Sequence, residues 1–245
     1  MADNYYAQPQ VAAMYQRARP TPHRAVLLRI MESLGNPALH QALDVGCGTG
    51  NSSIALADFA DSVVAIDSSP EMLQHAQKHQ RIQYLLARAE QFPFLHSSFD
   101  LVSVGQALHW FNQPQFFAEC RRVLRGICAV AIYNDHFTSV LRGLPEFQRW
   151  FRRAYSARFR RRRGMRDIDL HACETAGLTL AERTALERSE WLTREQMTDF
   201  LLTHSNTGSR QQDAREWLDS ELQRLIPDED SHEFVFKSNL YLLRA

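Results

Sequence analysis

Short apolar runs alternate along the chain with segments in which apolar residues recur every three or four positions. The runs predict β-strands, and the wider spacing predicts amphipathic helices. Six runs read as strands in this way: Ala42–Val45, Val63–Ile66, Ile82–Leu86, Phe99–Val104, Ile127–Tyr133 and Phe234–Leu243. Strands that alternate with helices are typical of an α/β domain built on a parallel sheet.

Capping signals place the helices between these strands. Thr21 and Pro22 predict the N-cap and first residue of a helix that Gly35 ends. Ser69-Pro70 predicts a second start of the same kind, and Pro114 opens a third helix. Two later pairs have capping-box spacing, namely Thr193 with Gln196 and Ser209 with Gln212.

A further helix is predicted after the fifth strand. Its apolar positions fall at helical spacing from Phe147 to Phe159, and arginines occupy positions around the rest of the helix. We therefore expect one α/β domain over residues 1–245, with an N-terminal cap at 1–35 and a helical, arginine-rich insert at about 136–176.

Composition excludes several classes of protein. The 245 residues are 44% hydrophobic and 23% charged, which argues against a disordered, collagen-like or coiled-coil chain. No apolar run approaches the roughly 18 residues of a membrane span, and residues 1–10 do not read as a signal peptide. The four cysteines are scattered, so we expect a cytoplasmic protein with no disulfide framework and no metal site.

Charge is distributed unevenly in a chain whose formal net charge is zero. Residues Arg142–Arg166 include ten arginines and one acidic residue, so this segment carries about +9 and the remainder about −9. Three interpretations remain open at this point. The arginines form a solvated helix end, a dock for an acidic carrier protein or acidic substrate, or a surface that binds RNA.

The strongest chemical signal is a glycine-rich turn between the first strand and the next helix. It reads Leu43-Asp-Val-Gly-Cys-Gly-Thr-Gly50. Glycines permit positive φ and close approach of the backbone to a ligand. The spacing G-x-G-x-G differs from that of a dinucleotide pyrophosphate loop, and Asp44 favours an ammonium group over a phosphate. A tight turn without a ligand is the alternative.

Three more signals follow later strands in order. Asp67 ends the second strand, where an acid can accept both hydroxyls of a ribose, and Met72 can lie on an adenine face. The alternatives are a helix N-cap for Asp67 and core packing for Met72. Ala89-Glu90 follow the third strand, and Gly105 to Phe111 follow the fourth.

Together these four segments resemble the class I S-adenosylmethionine-dependent methyltransferases. The matching stretches are LDVGCGTG, AIDSSPEML, RAEQFPFLHSSFDLV and GQALHWF. They are most similar to the small-molecule branch that includes trans-aconitate and malonyl-acyl-carrier-protein methyltransferases. The segment Tyr15–Pro20 also resembles the part of that branch that lies over the cofactor.

The resemblance implies a Rossmann-like methyltransferase fold, which is a doubly wound, mostly parallel sheet of seven strands. One strand, the last, would be antiparallel. S-adenosylmethionine would be the cofactor. Its methionine portion would lie against Asp44, Gly46, Gly48, Gly50 and Gln106, and its adenosine against Asp67, Ser68, Met72, Ala89 and Glu90.

Two departures from the family pattern stand out. Arg88 occupies a position where the family often has an aspartate that reads the adenine. The family also favours Leu-Lys-Pro-Gly-Gly before the fifth strand, whereas this chain has Leu124-Arg-Gly-Ile-Cys128. We expect altered local geometry at the second position rather than lost activity.

The reaction implied by the resemblance is methyl transfer to a small molecule, with a carboxylate or a carrier-bound acyl group favoured as acceptor. His109 is the candidate general base by residue type, and packing at a helix start is its alternative. Tyr15, Arg19 and Trp110 are candidates for the substrate pocket. An RNA-modifying methyltransferase that uses Arg142–Arg166 and a cofactor-binding protein without catalysis are the competing classes.

Overall fold

A computed structural model of the chain describes residues 18, 21–159, 167–204, 207, 211–226 and 230–245. Within these residues seven strands belong to one sheet. They are β1 (Leu39–Val45), β2 (Ala60–Asp67), β3 (Ile82–Leu86), β4 (Phe99–Gly105), β5 (Leu124–Leu141), β6 (Thr179–Leu192) and β7 (His232–Arg244).

The strand order is β3-β2-β1-β4-β5-β7-β6. The pairs β1–β2, β2–β3, β1–β4 and β4–β5 are all parallel. β7 runs antiparallel to β5, because bonds join Asp135 to Ser238, Thr138 to Val235 and Arg142 to Glu233. The expected sheet, with one antiparallel strand at the end of the chain, is therefore confirmed.

Helices connect the strands of the described chain. They are α1 (His23–Leu34), α2 (Asn51–Leu56), α3 (Pro70–Gln74), α4 (Gln113–Val123), α5 (Pro145–Trp150), α6 (Ser156–Arg158), α7 (Leu170–Thr175), α8 (Arg194–Leu202) and α9 (Gln211–Leu225). A 3₁₀ turn spans Leu108–Trp110, and a π-helical turn, Phe151–Tyr155, joins α5 to α6.

Most predicted caps are present. Gly35 ends α1 in the left-handed conformation at φ 81°, Ser69 caps α3, and Thr193 with Gln196 forms both bonds of a capping box. The predicted start of α1 is wrong by one residue, since Pro22 holds the N-cap position without a side-chain bond. Ser209 lies outside the described residues.

The observed elements of the C-terminal half differ most from the predicted ones. β5 extends to Leu141, well past the predicted end at Tyr133, and neither β6 nor α7 is predicted by the pattern. β6 escapes detection because it interleaves charged residues such as Glu182 and Arg183 with small and apolar ones. Such a segment lacks the alternating apolar positions on which a strand prediction depends.

Two compact units make up the chain. The sheet unit comprises the described residues of 21–135, 167–186 and 238–245. One apolar cluster of this unit includes Val104, Ile132 and Phe116 of α4. A second cluster includes Leu27 and Ile30 of α1 together with Tyr133. These clusters cover the two faces of the sheet, as is usual in doubly wound folds.

The aromatic unit comprises the described residues of 136–164 and 187–237. Phe137 lies at its centre, with its ring 5.2 to 6.0 Å from the rings of five other phenylalanines. Phe147, Trp150, Tyr155 and Phe159 are buried, as the helical spacing predicts. The boundaries 136–176 for an insert stay a prediction. Among the described helices, none is long and apolar enough to cross a membrane.

Candidate ligand site at the carboxyl edge of the sheet

The strand order reverses direction between β1 and β4. β2 and β3 extend the sheet on one side of β1, and β4 and β5 extend it on the other. Ligands of doubly wound sheets bind beyond the carboxyl ends of the strands at such a switch point. The glycine loop follows β1, Asp67 ends β2 and Gln106 follows β4, so the structure brings these candidate residues to this one edge.

A close contact requires glycine at position 46, the first glycine of the loop. The N–H groups of Gly46 and Cys47 both donate to the Ile66 carbonyl, at 2.8 and 3.1 Å. Gly46 has φ 71°, and a Cβ placed on it would lie 2.5 Å from the Cβ of Ala107. The loop is thereby held against the ends of β2 and β4, with its backbone close to the edge.

Asp44 lies wholly inside the sheet unit at the start of this loop. Its Oδ2 accepts hydrogen bonds from the hydroxyls of Ser52 and Ser53, each at 2.6 Å. Its Oδ1 is buried and has no partner among the described residues. Burial raises the pKa of the Asp44 carboxyl from 3.8 to about 6, against the lowering effect of the two serines.

An ammonium group fits this carboxylate. A cation beside Oδ1 would supply the missing partner, and its charge would favour the ionised carboxylate that burial disfavours. A phosphate would be disfavoured, because its negative charge would lie beside a buried acid with no compensating cation. The site chemistry thus matches the amino group of an amino-acid ligand such as the methionine portion of S-adenosylmethionine.

Asp67 connects the glycine loop to the start of α3. Its Oδ2 accepts the N–H of Gly48 at 2.8 Å, and its Oδ1 accepts the N–H of Ser69 at 2.9 Å. The helix N-cap is Ser69, whose hydroxyl accepts the N–H of Met72. Each Asp67 oxygen keeps a second lone pair, which leaves room to accept one hydroxyl apiece.

Ser68 and Met72 both follow Asp67 in the chain, and they differ in their exposure to solvent. The Met72 methyl carbon lies 3.0 Å from the position of a Cβ built on Gly48, so the thioether contacts the glycine loop. Met72 is half-buried, whereas Ser68 is exposed. An adenine ring between Met72 and solvent is compatible with this placement.

Ala89 and Glu90 lie in the turn after β3. Ala89 is buried in the core, and Glu90 accepts the N–H of Asn112 at 3.0 Å. The second oxygen of Glu90 is 3.4 Å from Nε of Arg88, whose side chain is 76% exposed. Glu90 thus connects the turn after β3 to the residues before α4, and the exposed Arg88 lies on the solvent side of Glu90.

The turn after β4 carries Gln106, His109 and Trp110. Gln106 has φ 61°, a left-handed conformation that is uncommon for residues other than glycine, and its N–H donates to the Tyr133 carbonyl at 2.8 Å. His109 lies in the 3₁₀ turn with its ring 4.8 Å from that of Trp110. Trp110 is 64% exposed.

Burial favours the neutral form of the His109 imidazole. Its Nδ1 is buried without a hydrogen-bond partner among the described residues, and burial lowers the pKa of its imidazole. A neutral imidazole is the form that can accept a proton, and it is also the form that tolerates packing against Trp110.

Two of the predicted site residues, Tyr15 and Arg19, lie outside the described residues. Conversely, sequence reasoning missed Asn134, which follows the buried part of β5. Its Oδ1 is buried and has no partner among the described residues. The signal available in the sequence was an asparagine directly after the apolar run that ends at Tyr133.

Comparison with known proteins agrees with this architecture. Residues 43–130 match a family model described as "Methyltransferase domain". A putative methyltransferase of Dictyostelium discoideum is 33% identical over 124 residues, which are 51% of this chain and 47% of that protein. A malonyl-[acyl-carrier protein] O-methyltransferase of Pseudescherichia vulneris is 33% identical over 166 residues, which are 66% of this chain and 59% of the relative.

A solved structure extends the likeness over most of the fold. It is a putative type II methyltransferase from Anaeromyxobacter dehalogenans, with a TM-score of 0.74, 27% identity, and coverage of 92% of this chain and 97% of that one. Residues 43–130 therefore carry a methyltransferase domain of the class I S-adenosylmethionine-dependent kind. The chain spans about half the length of the curated relatives it matches.

Proposed function

We propose that the protein transfers a methyl group from S-adenosylmethionine to a small-molecule acceptor, with a carboxylate or a carrier-bound acyl group as the acceptor class. The observation that carries the proposal is the buried Oδ1 of Asp44, which has no partner among the described residues and lies at the start of a glycine loop. A buried carboxylate oxygen in this position calls for a cationic ligand.

The donor half of the site follows from the arrangement at the carboxyl edge. Asp44 would hold the amino group of the methionine portion, and the backbone of Gly46, Gly48 and Gly50 would lie against it. Asp67 would accept the ribose hydroxyls. When bound, the cofactor would supply an activated methyl group, which would pass to the nucleophile in an in-line displacement with S-adenosylhomocysteine as the leaving group, so the protein's work is alignment and exclusion of water.

Met72, Ala89 and Glu90 would border the adenine. In this chain Glu90 is engaged by Asn112 and Arg88, so backbone groups of the turn are expected to carry most of the adenine contacts. Ser68 would contribute from the exposed side. Gln106, fixed by its bond to Tyr133, would border the methyl group.

His109 and Trp110 would lie on the acceptor side of Gln106. A carboxylate nucleophile needs no base, and a neutral His109 would then serve to shape the pocket. For a phenol or carbon acid the same neutral imidazole would accept the proton. Tyr15 and Arg19 remain candidates for the acceptor pocket by their resemblance to the family segment.

Arginines of the aromatic unit support an acidic carrier as the source of the acceptor. Arg149, Arg152 and Arg153 are exposed and form no ion pair with the described residues. The helical segment that carries these arginines packs its aromatic side chains into the core of the aromatic unit. These rings are therefore not free to stack on RNA bases. This favours an acidic protein surface over the alternative of an RNA.

The experiment is a methyl-transfer panel that follows S-adenosylhomocysteine formation with free carboxylic acids, the same acids as carrier-bound thioesters, and tRNA. We expect an acid or its thioester to gain one methyl group. Tight tRNA binding with a steep salt slope, about −0.7 per phosphate, and a methylated nucleoside would establish the RNA-modifying alternative. Cofactor binding without turnover of any acceptor would establish a non-catalytic protein.

Replacing Arg149, Arg152 and Arg153 with Gln tests the carrier interaction separately. The triple variant should keep turnover of a free acid and raise the Michaelis constant for the carrier-bound form. A matched control replaces three exposed arginines of the sheet unit, namely Arg24, Arg81 and Arg121. Equal effects of the two triple variants would show that only overall charge matters.

A further inference from the structure

β6 is an edge strand of the sheet, because the strand order ends at β7-β6. In the part of the chain that the structure describes, no further strand follows it in this order. β6 has 14 residues, whereas β3 at the opposite edge has 5. A long edge strand presents a row of backbone N–H and C=O groups on which another strand can form.

The sequence of β6 lacks the features that most often prevent such pairing. Natural edge strands are kept short, bulged, or supplied with proline and lysine. Residues 179–192 contain no proline, no glycine and no lysine. Charges of both signs are present instead, in the order Glu182, Arg183, Glu187, Arg188 and Glu190. Mixed charges favour strand pairing only in a register that sets each charge opposite one of the other sign.

Exposure alternates along β6 with the period of two that a strand requires. The odd-numbered residues from 181 to 191 are exposed, and the even-numbered residues from 182 to 192 are half-buried. The exposed face carries Arg183 and Glu187, with Ala185 midway between them. This face therefore has one positive and one negative charge at equal distances from a small residue.

A second copy of β6 complements this face when the two strands run antiparallel. Strands related by a twofold axis perpendicular to the sheet place residues of the same face opposite each other. With the axis at Ala185, Arg183 of each copy lies opposite Glu187 of the other. The half-buried face agrees, because the same register sets Glu182 opposite Arg188.

Other registers of this kind match the charges less well. An axis at Thr184 pairs no two charges, and an axis at Leu186 sets Glu182 opposite Glu190. An axis on any charged residue sets that charge against its own copy, which is destabilising. The axis at Ala185 is the choice that gives every charge from 182 to 188 a partner of opposite sign.

The contacts of the exposed pair keep both charges at the surface. The guanidinium of Arg183 lies 5.3 Å from the centre of the Tyr241 ring. The carboxylate of Glu187 is 3.3 Å from Arg142, and both of these side chains are more than half exposed. Each charge can therefore meet a charge on a second copy without leaving a buried position.

The half-buried charges contribute less to the complementarity. Glu182 accepts a hydrogen bond from Arg29 at 2.7 Å, and Arg188 lies 3.3 Å from Glu190. These contacts within one chain compete with pairing across the axis. The exposed pair is therefore the one that a mutational test should address.

We propose that β6 pairs with β6 of a second copy of this chain, antiparallel and about a twofold axis at Ala185. Backbone hydrogen bonds join the two edges, and the pairing of Arg183 with Glu187 selects the register. The same register sets Trp191, which is 64% exposed, opposite Thr179 of the second copy. The inference is independent of the proposed function, because it concerns no residue of the donor or acceptor site.

Charge reversal tests the interface. Sedimentation velocity of the wild type should show a dimer that dissociates on dilution. Arg183→Glu and Glu187→Arg should each raise the dissociation constant by about tenfold or more, because each sets two like-charge pairs across the axis. The double variant should return it to within about threefold of the wild type, since opposite charges then meet again. Arg81→Glu, which reverses an exposed charge beside β3 at the opposite edge, is the control and should change nothing.

A cysteine at position 185 locates the axis. Facing residues of antiparallel strands have Cα atoms about 4.5–5.5 Å apart, within the range of about 4.4–6.8 Å that a disulfide spans. Ala185→Cys should therefore form a covalent dimer in the presence of oxidised glutathione. Ala181→Cys is the matched control on the same exposed face, because its own copy would lie about 26 Å away along the strand. It should stay uncrosslinked.

Each contrary result overturns the inference. These results are a wild type that stays monomeric at about 100 μM, a dimer that neither single reversal weakens, and a double variant no tighter than the single ones. Cross-linking of Ala181→Cys in place of Ala185→Cys refutes the register. Thermal unfolding shows that each variant is folded, and the cysteine pair decides the matter if a charge variant is not.

Discussion

Asp67 offers a sharp test of the donor site because its carboxylate has two separable tasks. It anchors the glycine loop through Gly48 and the start of α3 through Ser69, by hydrogen bonds of 2.8 and 2.9 Å. It is also expected to accept the two ribose hydroxyls of the cofactor. Asp67→Ala removes both tasks, and Asp67→Asn keeps one acceptor oxygen in nearly the same place.

The expected loss follows from the count of hydrogen bonds. A hydrogen bond to a charged group contributes about 1.5–3 kcal/mol, so two ribose hydroxyls amount to about 3–6 kcal/mol. Asp67→Ala should therefore weaken S-adenosylhomocysteine binding by about 10²- to 10⁴-fold. Asp67→Asn retains one neutral acceptor and should lose about 10- to 100-fold.

Calorimetric titration with S-adenosylhomocysteine measures these losses, and thermal unfolding of each variant reports the separate contribution to stability. Asp61→Asn is the matched control, because Asp61 also lies on β2 but its side chain is 77% exposed and pairs with His40. Affinity within twofold of the wild type in Asp67→Ala, with the fold intact, would refute the ribose role.

Four further predictions concern the same edge. Burial raises the folded-state pKa of Asp44 from 3.8 to about 6, so the free energy of unfolding of the free protein should decrease as pH rises between these values, and Asp44→Asn should flatten the profile. Cofactor binding should release a proton below about pH 6, measurable by calorimetry in buffers of different ionisation enthalpy; no release would contradict the pairing with an ammonium group. Gly46→Ala should abolish cofactor binding and lower the melting temperature, since its Cβ would meet that of Ala107 at 2.5 Å, whereas Gly143→Ala, with open space around it, should retain binding. Arg88→Asp should hold or improve affinity for S-adenosylhomocysteine, because Arg88 is exposed and stands where the family often has an adenine-reading acid; a variant that no longer binds would overturn this assignment.

Local chemistry made much of the sheet unit predictable. β3 is predicted with its observed bounds, and the cap at Ser69 with its proline is found as expected. These features depend on a few neighbouring residues, which a sequence displays directly. The glycine loop is predictable for the same reason, since its geometry needs glycine at fixed spacing.

Features that depend on distant residues could not be predicted in this way. β6 is a strand because it pairs with β7, which begins 40 residues after β6 ends, and its own residues carry no strand pattern. The unpaired, buried Oδ1 atoms of Asn134 and Asp44 appear only when all of their possible partners are placed. Asp67 shows the intermediate case, because its position was evident but its bond to Gly48 was not.

Amide hydrogen exchange with and without saturating S-adenosylhomocysteine tests the central claim most directly, because it locates the bound donor without knowledge of the acceptor. We predict slowed exchange in the glycine loop at 46–50, in the segment 67–72 and at Gln106. Exchange at Leu39 and Phe99, at the amino ends of β1 and β4, should stay unchanged. Unaltered exchange at all three carboxyl-edge segments, or protection confined to the aromatic unit, would contradict the assignment of this edge as the methyl-donor site.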